Sequence, residues 1–547
     1  MFKLASSLKQ LMLPEDRRQW PILLGASLVS GLSRSLFLAL VSTAVASQDS
    51  EHKPLYAVGV LALIVCIVLA DFFSAVRGRE VANRLAMRLR GNLLDQIGSA
   101  NLRLIEQEQP SRLHYHLMHT ISLVAGSYFV LLGFANSLVT LAFNFIYIGW
   151  LSWIGLVSAL LISLVGVKVH WYFEQRNVER RRRLDDLSNS NNACHMAYLL
   201  GYKELRLSQT KEADYRRQID EINAEYLDKS VAEARVSTTG GMATNLFQYL
   251  AIAAAALLLP LLVKIDSMTV MQLLAAILFT IGPLEGVVGS FASFGRARVA
   301  MDNLRRLTEA VADTHESPAP LDHPGLPPFE SLEFRGVTFT FEERAEVATE
   351  SFSLGPIDLC LKKGEVMFVV GGNGSGKTVL MRLLTGLYRP HGGDILYNGK
   401  PLSDQDRQAF RERFATVFND FFLFAELLGK RDTPRETILS RLEHFDLAGK
   451  TDIKDGAFTT VDLSTGQRKR MALVVAMLEQ RPLLVLDEFG ADQDPEHREL
   501  FYRKWLPELR ESGCTLLVVS HDDRYFDTAD RVVHMDFGRI SKVVANC

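Results

Sequence analysis

Six apolar runs punctuate the N-terminal part of the chain, at residues 20–45, 55–76, 121–148, 152–171, 241–263 and 268–293. Each can cross a bilayer as a helix, which takes roughly 20 residues. Ala44-Val45-Ala46 resembles a signal-peptidase site. The apolar run before it is too long for a signal peptide, however, and further runs follow, so it is read as an uncleaved first span. Polar stretches of two kinds separate the runs. Arg77, Arg79, Arg84, Arg88, Arg90, Arg103 and Arg112 lie between the second and third, and Arg176 and Arg180, Arg181, Arg182 and Arg183 between the fourth and fifth. The remaining loops, SQDSEHKP, GWLSW and KIDS, hold Lys53 and Lys264. This asymmetry predicts an inner-membrane protein with both termini in the cytoplasm. Arginines on a merely solvated helix face would predict the same topology. Trp150 and Trp153 fall at the tight turn between the third and fourth spans, where indoles suit the outer interface.

The two arginine-bearing stretches are too long for turns. Residues 174–237 keep a helical period with dense mixed charge, so helices are expected to run past the membrane and return. After the sixth span, DTHESPAPLDHPGLPPFE breaks the periodicity with proline. The division predicted is a membrane domain over 1–308, a linker over 309–330 and a second domain over 331–547. In that last part, short apolar strands alternate with helices in an α/β pattern. Net charge is -3 over 547 residues, which gives no reason to expect nucleic acid as a partner. Cys66, Cys194, Cys360, Cys514 and Cys547 show no ligand-like spacing and read as small buried or unpaired thiols.

The chemistry lies in the second domain. EVMFVVGGNGSGKTVLMRLLTG reads as a buried strand, a glycine loop and a helix. Gly371, Gly372, Asn373, Gly374, Ser375, Gly376, Lys377 and Thr378 form a P-loop. Its backbone N–H groups wrap phosphate, Lys377 reaches the outer phosphates, and Thr378 offers a hydroxyl to Mg²⁺. A second strand, RPLLVLDEFG, ends in Asp487, suited to the Mg²⁺ shell, and Glu488, suited to polarising the attacking water. A third, CTLLVVSH, ends in His521. An isolated histidine at a strand end is more often structural, but this strand would lie beside the P-loop strand with its end toward the phosphates.

LSTGQRKRMALVVAM resembles the LSGGQ signature of ATP-binding cassette (ABC) proteins. With the P-loop, the DE strand and the terminal His in that order, the resemblance covers the whole second domain. It implies a six-helix membrane domain of the ABC exporter type fused to an α/β P-loop cassette, using ATP and Mg²⁺. It implies a homodimer, because Ser464, Gly466 and Gln467 of one subunit would act on ATP held by the other's Gly371–Thr378. Asp494, in ADQD, would be the D-loop acid at the same interface. Phe341, in VTFTF, stands where an aromatic stacks on adenine, or is one more strand aromatic. Short coupling helices would lie near 104–117 and 193–206.

The cassette departs from the common multidrug pattern. VFNDFFLF places Asn419 where the Q-loop glutamine is expected, and ADQDP replaces SALD. Asn419 can still ligate Mg²⁺ through its amide. Phe421, Phe422 and Phe424 would either wall a groove for a coupling helix or pack in the core. These departures, with GGNGSGKT, DEFGADQDP, SHDDRYF and GYKELRLS, resemble the bacterial cyclic-peptide exporters, including those of pyoverdine precursors, syringomycin-type lipopeptides and a lasso-peptide microcin. The resemblance implies ATP hydrolysis driving outward transport of a peptide-like small molecule, a siderophore precursor being one case. A lipid or glycolipid flippase on the same fold, and a membrane ATPase that regulates without moving solute, stay open as alternatives.

Arg34, inside LVSGLSRSLFLALV, completes the reading. A guanidinium at the bilayer centre costs about 3 kcal/mol or more. It lies about 12 residues, about 18 Å of helix, from either end of its span, too deep for easy snorkelling. Asp71 is a possible partner at a different expected depth. Glu285, after Pro283 in the sixth span, is another intramembrane charge. Either Arg34 and Glu285 pair to fix packing, or one or both line a substrate cavity.

Overall fold

A computed structural model describes residues 14–46, 53–107, 110–258, 260, 267–313, 325–341 and 352–546. Residues 264–266 of the KIDS loop, Lys264 among them, and residues 314–324 of the expected linker lie outside them. The chain divides into two units. One comprises Met1–Asp95 with Pro110–Ala310, the other Gln96–Gln109 with Val311–Cys547.

Among the described residues, the first unit holds six helices long and apolar enough to cross a membrane. The first two run Pro14–Ala46 and Lys53–Gly98. The third, Ile121–Leu151, stops at Ser152, whose extended backbone (φ -160°) turns the chain and whose Oγ accepts from Gly155 N–H at 3.2 Å. Trp150 and Trp153 flank this turn, 81% and 71% exposed, as expected of interfacial indoles. The fourth helix, Trp153–Leu200, has 48 residues. At about 1.5 Å each that is about 70 Å, more than twice the hydrocarbon thickness of a bilayer. Its partner, Gln209–Ala253, is capped by Ser208 and joined to it through the short helix Tyr202–Arg206. A polar knot sets the register of this pair. Asn177, fully buried, donates to Glu233 Oε1 at 2.7 Å, and Arg181 binds both Glu233 (2.8 Å) and Glu174. The dense mixed charge of residues 174–237 is therefore partly interior, where paired charges cost less than lone ones. The sixth helix runs Ser267–Asp313.

In the second unit, a four-stranded antiparallel sheet has the order Ser353–Lys362, Ser331–Thr340, Gly392–Tyr397, Lys400–Pro401. The six-stranded sheet has the order Arg539–Ala545, Arg531–Asp536, Val366–Gly371, Thr515–Val519, Leu483–Asp487, Phe414–Val417. Its last five strands are mutually parallel. Two apolar clusters cover its faces. Phe368, Leu486 and Val518 belong to one, Met367, Val485 and Leu517 to the other. Burial on both faces explains why these strands read as continuous apolar runs. Register puts Val519 beside both Val369 and Asp487. The strands thus end on one rim, where open α/β sheets bind ligands. The short helix Leu102–Gln107 belongs to this unit, in the region where the first coupling helix was expected.

Candidate functional site

The rim is assembled from strand ends. Residues after Val366–Gly371 form the P-loop and lead into the helix Lys377–Leu384. Gly376 at its start has φ +98°, and a Cβ there would sit 2.8 Å from Leu354 and 2.9 Å from Phe352. Glycine is required on both counts. Lys377 Nζ donates to the carbonyls of Gly371 (2.8 Å) and Gly372 (3.0 Å), which leaves one of its three donors. Burial pulls its pKa below the usual lysine value, against the charges of Glu488 and Asp487. Among the described residues, Ser375 Oγ is buried without a hydrogen-bond partner, and nothing would crowd a side-chain atom at Gly372 or Gly374. An anionic phosphate would satisfy those donors.

The next strand ends at Asp487, 3% exposed. Burial and the neighbouring Glu488 charge raise its pKa, with the Asn419 backbone N–H and Lys469 opposing. A bound cation would relieve that penalty, so Asp487 suits Mg²⁺, and Thr378, in the first turn of the helix Lys377–Leu384, has a hydroxyl to offer the same ion. Glu488 sits in the left-handed region (φ 49°), which turns the chain sharply off the strand. Its Oε1 lies 3.3 Å from His521 Nε2, and its Oε2 lies 3.5 Å from Asn419 Nδ2. Residues from three strand ends meet at this one carboxylate.

Ser464 caps the helix Thr465–Leu478 in a capping box with Gln467. Gly466 O accepts from Gln493 Nε2 at 3.2 Å, and a Cβ on Gly466 would sit 2.6 Å from Asp492 O. Close approach of the D-loop backbone explains this glycine. Within the chain, the signature end is thus packed against the D-loop. Asp494 caps the helix Pro495–Leu500, accepting from His497 N–H at 3.0 Å and meeting His497 Nδ1 at 2.7 Å. The backbone hydrogen bond holds its pKa below the usual carboxylate value. Phe341 is half-buried among Phe339, Phe352 and Tyr388.

Three arrangements were missed in the sequence. Lys469, 1% exposed, bridges Asn419, Glu488 and Asp492. Its signal was a lysine in a helix turn beside the apolar MALVVAM. Arg382 pairs with Glu106 of the Leu102–Gln107 helix at 2.9 Å and with Asp420 at 3.3 Å. Tyr388 bonds the same Glu106, and burial, with that contact adding, pushes its pKa up to about 12. The phenylalanines also divide: Phe421 packs against the core, whereas Phe422 and Phe424 are 77% and 53% exposed.

In the first unit, Arg34 pairs with Asp71, Nη2 to Oδ2 at 2.5 Å, and not with Glu285. This corrects the expected packing pair. Glu285 is exposed on its helix and has no ion-pair partner among the described residues. Arg34 lines a cavity of ≈ 460 Å³ with Phe37, Ile64, Val68, Phe279 and Pro283, and Glu285 is not among its lining residues. A mostly apolar wall with one fixed charge suits an amphiphile.

This architecture, a six-helix membrane unit on one chain with a P-loop cassette, defines a membrane transporter of the ABC class. Two family descriptions match it, ABC transporter transmembrane region over residues 22–283 and ABC transporter over 354–491. The chain belongs to the ABC transporter family and has the fold of an ABC exporter, with membrane region and ATP-binding cassette in one polypeptide. It is 28% identical to the ATP-binding protein SyrD of Pseudomonas syringae pv. syringae over 535 residues, 94% of this chain and 92% of that one. It is 26% identical to the ATP-dependent lipid A-core flippase of Burkholderia orbicola, over 92% of this chain and 86% of that one. A solved bacterial Atm1-family ABC exporter with ATP bound has the same fold, with TM-score 0.79 at 18% identity, covering 98% and 95% of the two chains.

Proposed function

We propose that the protein is a homodimeric, ATP-hydrolysing exporter of an amphiphilic, peptide-like metabolite across the bacterial inner membrane. Hydrolysis is supported by the convergence of Glu488, His521 and Asn419 at the P-loop rim. The P-loop N–H groups and Lys377 would hold the phosphates, and Thr378 and Asp487 would hold Mg²⁺, whose charge would stabilise the negative charge of the transferred phosphate. Glu488 orients and polarises water for in-line attack on the γ-phosphorus, and the bond to the ADP oxygen breaks. His521 steadies Glu488 and the transferred phosphate. The partner subunit's Ser464, Gly466 and Gln467 close the site, which is why one cassette is insufficient. Phe341 offers the adenine a ring face.

The observation that carries the substrate reading is the Arg34 cavity. Arg34, its charge balanced by Asp71, still has guanidinium N–H groups to offer the oxygens of a polar group, and the walls suit an acyl or aromatic group. Similarity to SyrD along the chain and the resemblance to cyclic-peptide exporters favour an acylated or cyclic peptide. Similarity to lipid A-core flippases keeps lipid movement as a second reading.

The test is ATP-driven uptake into inverted vesicles holding the purified protein. Accumulation of an acylated cyclic peptide, abolished by Glu488→Gln, supports peptide export. Movement of labelled lipid alone supports the flippase, and ATP turnover with movement of neither supports a regulatory ATPase.

A further inference from the structure

The residue in the Q-loop position is engaged in an unexpected way. Lys469 lies on the signature helix Thr465–Leu478 with its side chain 1% exposed. An ammonium has three N–H donors and no acceptor. Here Nζ meets three oxygens: Asp492 Oδ2 at 2.6 Å, Glu488 O at 2.8 Å and Asn419 Oδ1 at 3.0 Å. Donors and acceptors match one to one, which makes burial of this charge tolerable. Two of the three partners, Asn419 and Asp492, stand where this cassette departs from the common pattern: Asn replaces the Q-loop glutamine, and ADQD replaces SALD. Both departures converge on one ammonium.

The contact also fixes which way the Asn419 amide points. With Oδ1 turned to Lys469, Nδ2 faces Glu488 Oε2 at 3.5 Å. That contact is long, as catalytic hydrogen bonds are before a site closes on its substrate. An oxygen already bonded to an ammonium is a poor ligand for a second cation, since the two positive charges repel. An amide N–H beside a carboxylate, by contrast, is well placed to aim it.

We propose that Lys469 is a positioning residue that turns Asn419 into a hydrogen-bond donor aiming Glu488 rather than a ligand of Mg²⁺. Lys469 holds both ends of this arrangement. It grips the Asn419 side chain and also the Glu488 carbonyl, at a residue whose left-handed backbone sets where the carboxylate points. Asp492 neutralises the charge from the D-loop side, which ties the geometry of hydrolysis to the segment packed on Gly466. This rests on the hydrolytic role of Glu488 proposed above.

The experiment uses the full-length protein in nanodiscs, with Mn²⁺ replacing Mg²⁺ so that metal affinity is read by electron paramagnetic resonance in the presence of ATP. Asn419→Ala should leave Mn²⁺ affinity within about twofold of native while lowering kcat about tenfold or more. Lys469→Met should lower kcat similarly, with the KM for ATP and the Mn²⁺ affinity within about twofold. The combined variant should be little worse than either alone, because both act through one carboxylate. Lys469→Arg should recover part of the loss, and Asp492→Asn provides a milder lesion if Lys469→Met does not fold. Loss of Mn²⁺ affinity by about tenfold in Asn419→Ala would make Asn419 a metal ligand and overturn the proposal. So would native kcat in a folded Lys469→Met, or in Asp492→Asn should that be the variant that folds, while Glu488→Gln is arrested. Native turnover in Glu488→Gln would instead remove the hydrolytic reading, and this inference with it.

Discussion

Arg34 and Asp71 form a 2.5 Å ion pair between the first two spanning helices, and Ser30 Oγ donates to the other Asp71 oxygen at 2.6 Å. The serine lies one helical turn before Arg34, so one helix face supplies both ligands of the carboxylate. The pair neutralises the guanidinium without enclosing it: both side chains keep about a third of their surface, 32% and 34%. Arg34 therefore also faces the cavity. Arg34→Ala should leave basal ATPase nearly native while reducing transport and substrate-stimulated turnover. Asp71→Ala should lower thermal stability, because it strands a cation in hydrocarbon. The double variant should regain stability but not transport, measured by melting and vesicle uptake side by side. Recovery of both would reduce Arg34 to a packing role.

Glu488→Gln should bind ATP with native affinity and hydrolyse it about a hundredfold more slowly or worse, since the water loses its carboxylate. ATP should then trap a dimer detectable by cross-linking. Lys377→Ala should instead weaken nucleotide binding, because the loop loses the ammonium now tied to Gly371 and Gly372. Equilibrium ATP binding and steady-state turnover, measured on both variants, separate these two lesions.

Asp487 gives a pH dependence. Its pKa is raised by burial and by the Glu488 charge. The folded state thus holds this proton more tightly than the unfolded chain does. The stability linked to that proton is fully present below the ordinary carboxylate pKa and is lost as pH rises through the raised one. Without nucleotide, Asp487→Asn should therefore stabilise the protein at about pH 8 and have less effect at about pH 5, read as thermal melting. Added Mg²⁺ and ATP should narrow that gap in favour of the native residue. Equal melting shifts at both pH values would contradict the assignment of strain to this carboxylate.

Glu106 reaches the cassette through Arg382, which also binds Asp420, the neighbour of Asn419. Arg382→Ala should leave basal ATPase within about twofold and abolish its stimulation by transported substrate. Glu106→Gln should do the same more weakly, because Tyr388 can still donate to the amide oxygen. Stimulation curves at saturating ATP check this. Native stimulation in Arg382→Ala would mean that this contact carries no signal.

Much of the architecture was legible because its signals are local. A membrane span is a property of one continuous stretch, and arginine bias is a property of one loop. The P-loop works through consecutive backbone groups, so Gly371–Thr378 could be read in order, and the strands ending in Asp487 and His521 showed their burial as unbroken apolar runs. What tertiary structure decided is which distant side chains meet. Arg34 pairs with Asp71 rather than Glu285 because rotation of each helix about its axis sets which faces meet, and a charge in the sequence shows neither phase nor depth. Phe422 and Phe424 face outward while Phe421 turns in, a choice made by an irregular loop with no period to read. Lys469 stands two residues after the LSTGQ stretch. Its burial follows from Asn419, Glu488 and Asp492, brought together from separate stretches of the chain, arriving around one ammonium, and such a convergence exists only once the sheet has folded.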